Sequence, residues 1–69
     1  MRFNGFRRFC DVFNADSMPS NMVDFAVLVD GDYKTGHSTL AYALDVAVSW
    51  MRLGYAVTIA CRDIESLIK

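Results

Sequence analysis

Apolar residues recur along this chain with different periods, and each period predicts an element. Phe3, Phe6, Phe9, Cys10 and Phe13 are spaced by threes and fours, with Arg7, Arg8 and Asp11 off the stripe. That spacing predicts a short amphipathic helix over residues 5–13, its phenylalanines packed on a sheet. Residues 14–22 (NADSMPSNM) carry no period and contain Pro19, so they read as a loop. In VDFAVLVD, Val23, Phe25, Val27 and Val29 alternate with Asp24, Ala26, Leu28 and Asp30. The centre is apolar on both sides, which predicts a strand covered on both faces and stopped by Asp30-Gly31.

The next run, LAYALDVAVSWMRL (residues 40–53), predicts a helix capped by Ser38 or Thr39 and ended by Gly54. Its strongly polar positions, Asp45, Ser49 and Arg52, form one narrow stripe. A helix apolar nearly all round is expected to be buried nearly all round, with Leu44 and Trp50 in the core. YAVTIAC (Tyr55 to Cys61) predicts another strand. RDIESLIK predicts one or two final helical turns, with Asp63 as cap and Ile64, Leu67 and Ile68 inward.

The expected fold class is α+β, in the order α-β-α-β-α: a small single domain over residues 1–69 with one long apolar helix on a small sheet. Two topologies satisfy this pattern. One is a parallel β-α-β crossover. The other is a hairpin, in which a short strand within Asp32–Thr35 pairs back through the Asp30-Gly31 turn before the helix and last strand.

Composition sharpens the functional question. Of the 69 residues, 54% are hydrophobic and 22% charged, an apolar excess for so small a core. The excess points to a partner surface or a homodimer. Net charge is −1, which gives no global footprint for nucleic acid or an anionic membrane. Charge is unevenly spread: four aspartates and one lysine lie between Asp24 and Asp45, and each flank is net positive by one. Cys10 and Cys61 can form at most one disulfide. With one histidine they cannot complete a structural zinc site, so neither a metal nor another cofactor is expected. The N-terminus lacks a signal-peptide apolar core and no run is long enough to span a membrane, so a cytoplasmic protein is expected.

Three stretches suggest chemistry. Gly31-x4-Gly36-His37-Ser38, between a strand and a helix, resembles the P-loop of nucleotide-binding proteins. That resemblance implies backbone N–H groups turned toward phosphate, with Ser38 at the magnesium-ligating position and His37 where the family has lysine. A histidine of ordinary pKa, about 6.5, is mostly neutral at pH 7, leaving Lys34 as the loop's cation. On this alternative reading Gly31, Lys34, Gly36, His37 and Ser38 bind phosphate or nucleotide weakly. The expected conformation is a loop and helix cap. FAVLVDGD, with Asp30 and Asp32, resembles the first strand of metal-dependent nucleases of the PIN-like class. Such a site needs several more carboxylates from later strands, and there only Asp63 and Glu65 follow.

The third stretch spans residues 39–58. Thr39, Leu40, Ala43, Leu44, Ala47, Trp50, Gly54, Tyr55, Val57 and Thr58 make it similar to the helix–strand unit of a small bacteriophage inhibitor of bacterial RNA polymerase. The resemblance implies a tiny α+β protein without catalysis that occupies a surface of its target. That family's target-binding arginines correspond here to Ile59 and Cys61, with Arg62 nearby. The favoured expectation is therefore a non-catalytic, inhibitor-like protein-binding module of phage or mobile-element type. It would bind a larger protein or ribonucleoprotein complex of the host and would not contact nucleic acid directly. Arg7, Arg8, Asp45, Arg52 and Arg62 are the candidate partner-binding residues.

Overall fold

A computed structural model describes residues 2–62. The predicted turns after Arg62, with Asp63, Ile64, Glu65, Leu67 and Ile68, lie outside the described residues. The chain forms β1 (Arg2–Arg8), α1 (Phe9–Val12), a 3-10 turn (Ala15–Ser17), β2 (Phe25–Val29), β3 (Asp32–His37), α2 (Leu40–Arg52) and β4 (Ala56–Cys61). The fold is α+β. The four strands make one mixed sheet in the order β1-β4-β2-β3, with β1 parallel to β4 and the other pairs antiparallel.

The hairpin topology is the one observed. Asp30 and Gly31 have φ of 53° and 88°. Two consecutive residues with positive φ give the tight turn whose twist suits two adjacent antiparallel strands. Asp30 also ties the turn to β4. Its N–H donates to the Ala56 carbonyl at 2.9 Å, and its Oδ1 accepts from the Ala56 N–H at 3.3 Å. After β3, α2 carries the chain across the sheet, so β4 lands on the far side of β2, parallel to β3. The expected loop over residues 31–38 is therefore a strand through His37.

The sheet has a core on each face. Phe25, Val27, Val29, Val57, Ile59 and Cys61 face α2 and pack on Ala43 and Ala47. Ala26, Leu28 and Ala60 face the other way and are covered by Phe9, with Val12, Phe13 and Val23 around it. This two-sided cover is why all five residues of β2 are buried. Thr39 caps α2 by accepting from the Tyr42 N–H at 3.5 Å. Gly54, at φ 96°, closes the helix with an N–H bond to the Met51 carbonyl at 2.9 Å.

Two expectations about the helices are corrected. Residues 5–13 are not one helix, because residues 2–8 pair with β4. The ladder slips by one residue between Phe3 and Phe6, where Gly5 has φ 92°. The resulting bulge places Phe3 and Phe6 opposite Val57 and Ile59, on the same face. A spacing of three, helical on a regular backbone, thus becomes a same-face spacing on a bulged strand. Only the Phe9–Phe13 portion of the stripe keeps a helical turn, closed by Phe13 N–H to Phe9 C=O at 2.8 Å.

The second correction concerns α2, which is not buried all round. Ala43 and Ala47 are its fully buried residues, and Leu44 is 38% exposed rather than in the core. Trp50 is half-buried, packs against the α2-side core as expected, and meets Tyr55 edge to face, with centroids 5.5 Å apart. Two small residues one turn apart let the helix lie close to the sheet, which leaves larger apolar groups along its sides.

Candidate functional site

The P-loop-like residues are spread along an edge hairpin. Gly31 occupies the β2–β3 turn, Lys34 the extra position of a β-bulge, and Gly36 and His37 the end of β3; Ser38 lies just before the Thr39 cap. His37 faces α2, and its Nε2 lies 2.9 Å from Thr35 Oγ1. Gly36 is explained by packing rather than by backbone freedom. Its φ is not positive, and a Cβ there would collide with Tyr33 Oη and lie 2.8 and 2.9 Å from the Val23 methyls. Tyr33 therefore crosses Gly36 on the face opposite α2 and reaches Phe13, with centroids 5.6 Å apart.

Of the five candidate partner-binding residues, Arg62 is drawn inward. Its Nε donates to the Val23 carbonyl at 3.1 Å, and one terminal nitrogen donates to Val23 and Ser20 carbonyls at 2.7 and 2.6 Å. Its guanidinium stacks 4.9 Å from the Phe9 ring centroid, and Asp24 Oδ1 lies 3.7 Å from Nε. A planar fork that fills several carbonyls and an aromatic face at once is a clamp on the 19–24 loop. Asp45 and Arg52 are exposed on α2, whereas Arg7 and Arg8 are exposed on β1 with opposite facings. These four do not form one surface.

The residues that do come together lie on β1. Phe3 and Phe6 are 40% and 38% exposed and meet edge to face at 5.2 Å. They sit on the α2 side of the sheet, on a strand at its edge. Arg2 and Arg7 oppose Ala56 and Ala60, which puts them on the other face. Arg8 shares a 3.7 Å ion pair with Asp11 across exposed surface; Arg2 and Arg7 have no ionic partner among the described residues. The three-and-four spacing assigns Phe3 and Phe6 to the core, and no pattern in the sequence singles out Arg2. The available signal was Gly5, which is costly inside a helix and natural at a bulge.

Cys10 is exposed and Cys61 buried, and both are free, so the two do not form the disulfide that their number allows. Burial pushes the Cys61 thiol pKa up from its ordinary 9.0. Among the described residues no ligand-sized pocket forms, and no three His, Cys, Asp or Glu side chains gather where they could hold a metal ion. No helix among the described residues is long and apolar enough to cross a membrane. Comparison with family models, with curated proteins and with solved structures finds no match.

Proposed function

We propose that this chain is a small non-catalytic binding module, inhibitor-like and of phage or mobile-element type. It acts by occupying a surface of a larger protein or ribonucleoprotein complex. The observation that carries this reading is the exposed Phe3–Phe6 pair on an edge strand bordered by arginines. A contiguous aromatic patch on so small a surface is a feature of interaction sites, and Phe and Arg are enriched at the centres of protein interfaces.

The test is affinity capture from source cells with the wild-type chain and with a Phe3→Ser/Phe6→Ser variant, followed by reconstitution with the purified partner. A defined complex that forms at fixed stoichiometry and depends on the phenylalanines is expected. Failure to reconstitute any complex would refute the reading. The phosphate-binding alternative makes a separate demand: magnesium–ATP should bind the wild type measurably in calorimetry, and His37→Lys should tighten that binding.

A further inference from the structure

We propose that the β1 edge accepts an acidic, extended peptide segment, which adds as a fifth strand to the sheet; this rests on the binding-module reading above. Strand addition has two requirements, an open row of backbone groups and side chains that suit the alternating residues of the incoming strand. β1 is an edge of the sheet, and every residue on it except Gly5 is exposed. Beyond the bulge, Phe6, Arg7 and Arg8 form an unbroken run of ladder.

The distribution of side chains across β1 selects the occupant. Phe3 and Phe6 lie on one face of the sheet, Arg2 and Arg7 on the other. A single nucleic-acid strand is held where stacking aromatics and cations share one platform. Here Arg8, on the phenylalanine face, is ion-paired with Asp11, and the cations without an ionic partner among the described residues, Arg2 and Arg7, lie across the edge from the aromatics. An added β-strand sends successive side chains to opposite faces. A segment alternating apolar and acidic residues thus meets the phenylalanines with one set and the arginines with the other.

A second copy of this chain is disfavoured at the same edge. Antiparallel pairing of two β1 strands with Phe3 against Phe6 of the other copy sets Arg2 against Arg7 on the opposite face, and like charges directly opposite destabilise a sheet. The arginines guard the edge against self-pairing, and an acidic strand turns that guard into attraction. Charge complementarity therefore sets both the partner's chemistry and its exclusivity.

The experiment uses the full chain and a short fluorescent probe peptide alternating valine and glutamate, blocked at both ends. Fluorescence anisotropy compares it with a valine–lysine probe, with a valine–glutamate probe N-methylated on alternate amides, and with single-stranded oligothymidine. The glutamate probe should bind at least about tenfold tighter than the lysine probe, a factor equivalent to about 1.4 kcal/mol. The Arg2→Glu/Arg7→Glu variant should reverse that preference, and N-methylation should abolish binding in one of its two registers. Both arginines are exposed, so the variant should melt like the wild type.

Tighter binding of oligothymidine, indifference to N-methylation in both registers, or no binding up to the probe's solubility would each overturn the proposal. So would β1-dependent dimerisation of the wild type at micromolar concentration. Capture of a larger complex by the wild type and equally by the Arg2→Glu/Arg7→Glu variant would sink the edge proposal and leave the binding-module reading standing. If no complex is captured at all, that reading falls, and the probe titration still judges the edge.

Discussion

Replacing Gly36 with alanine separates a packing glycine from a phosphate-cradling one. The new Cβ would meet Tyr33 Oη and both Val23 methyls, the latter at 2.8 and 2.9 Å. The hydroxyl is the far end of a side chain and can move. Val23 is half-buried beside Phe9 and Ala26 and has less freedom. Forcing a methyl into a filled site costs about 1–3 kcal/mol. Swinging the Tyr33 ring off Phe13 forfeits an edge-to-face pair worth roughly 0.5–1.5 kcal/mol. Against this, alanine restricts the unfolded chain and returns about 0.4–1 kcal/mol. The expected net loss is roughly 1–3 kcal/mol, and in a domain of this size each kcal/mol lowers the melting midpoint by about 4–8 °C. Thermal melting by circular dichroism measures it directly. Adding Val23→Ala or Tyr33→Phe should each restore part of the loss, because each removes an atom that the new methyl would meet. An alanine variant that melts at or above the wild-type midpoint would refute the account of Gly36.

Arg62→Lys should destabilise nearly as much as Arg62→Ala, by about 1.5–3 kcal/mol in urea titration, because an ammonium cannot reproduce the fork to the Val23 and Ser20 carbonyls. Equal stability of wild type and the lysine variant would count against the clamp. Ala47→Leu should cost about 1–3 kcal/mol by overpacking the zero-exposure contact between α2 and the sheet. Leu44→Ala, at an exposed position, should stay within about 1 kcal/mol of wild type; denaturant midpoints of the two variants should rank accordingly. Cys61 gives a pH dependence of known sign. Its folded pKa is raised above the unfolded value, so the unfolded chain loses its proton first. The thiol's contribution is fully present below the ordinary value of 9.0 and is lost as pH climbs past it. Cys61→Ser should flatten the alkaline limb of the stability–pH curve, whereas an unchanged limb would mean that the thiol is not buried.

Much of the middle of the fold was legible because its signals are local. Asp30-Gly31 marks a turn that admits a hairpin beside the parallel crossover, and the Thr39 cap and Gly54 stop bracket α2. β2 reads as a doubly covered strand because Ala26 and Leu28 are as apolar as their neighbours. The first strand was not legible, since its phenylalanines take a shared face only through a bulge that becomes visible once β4 supplies the register. The candidate site suffered for the same reason. Charge singles out Arg7 and Arg8, while spacing gives Phe3 and Phe6 to the core. Arg62 looked free because the carbonyls that hold it are 42 and 39 residues away, at Ser20 and Val23.

The parallel pairing of β1 with β4 has a consequence for the order in which the chain assembles. The hairpin closes through two residues, whereas Arg2 must wait for Ala56. Joining ends so distant carries an extra loop entropy of roughly 3 kcal/mol relative to a tight turn. On the ribosome β1 is made before the other strands of the sheet and has no mate among them until β4 follows. Hairpin, α2 and β4 can meanwhile condense around Val27 and Ile59, with β1 added as the closing step. The exposed strand is then also the one released at least cost, through an opening short of global unfolding. Faster amide exchange across Arg2–Arg8 than across Phe25–Val29 would mark that order, and uniform protection would contradict it.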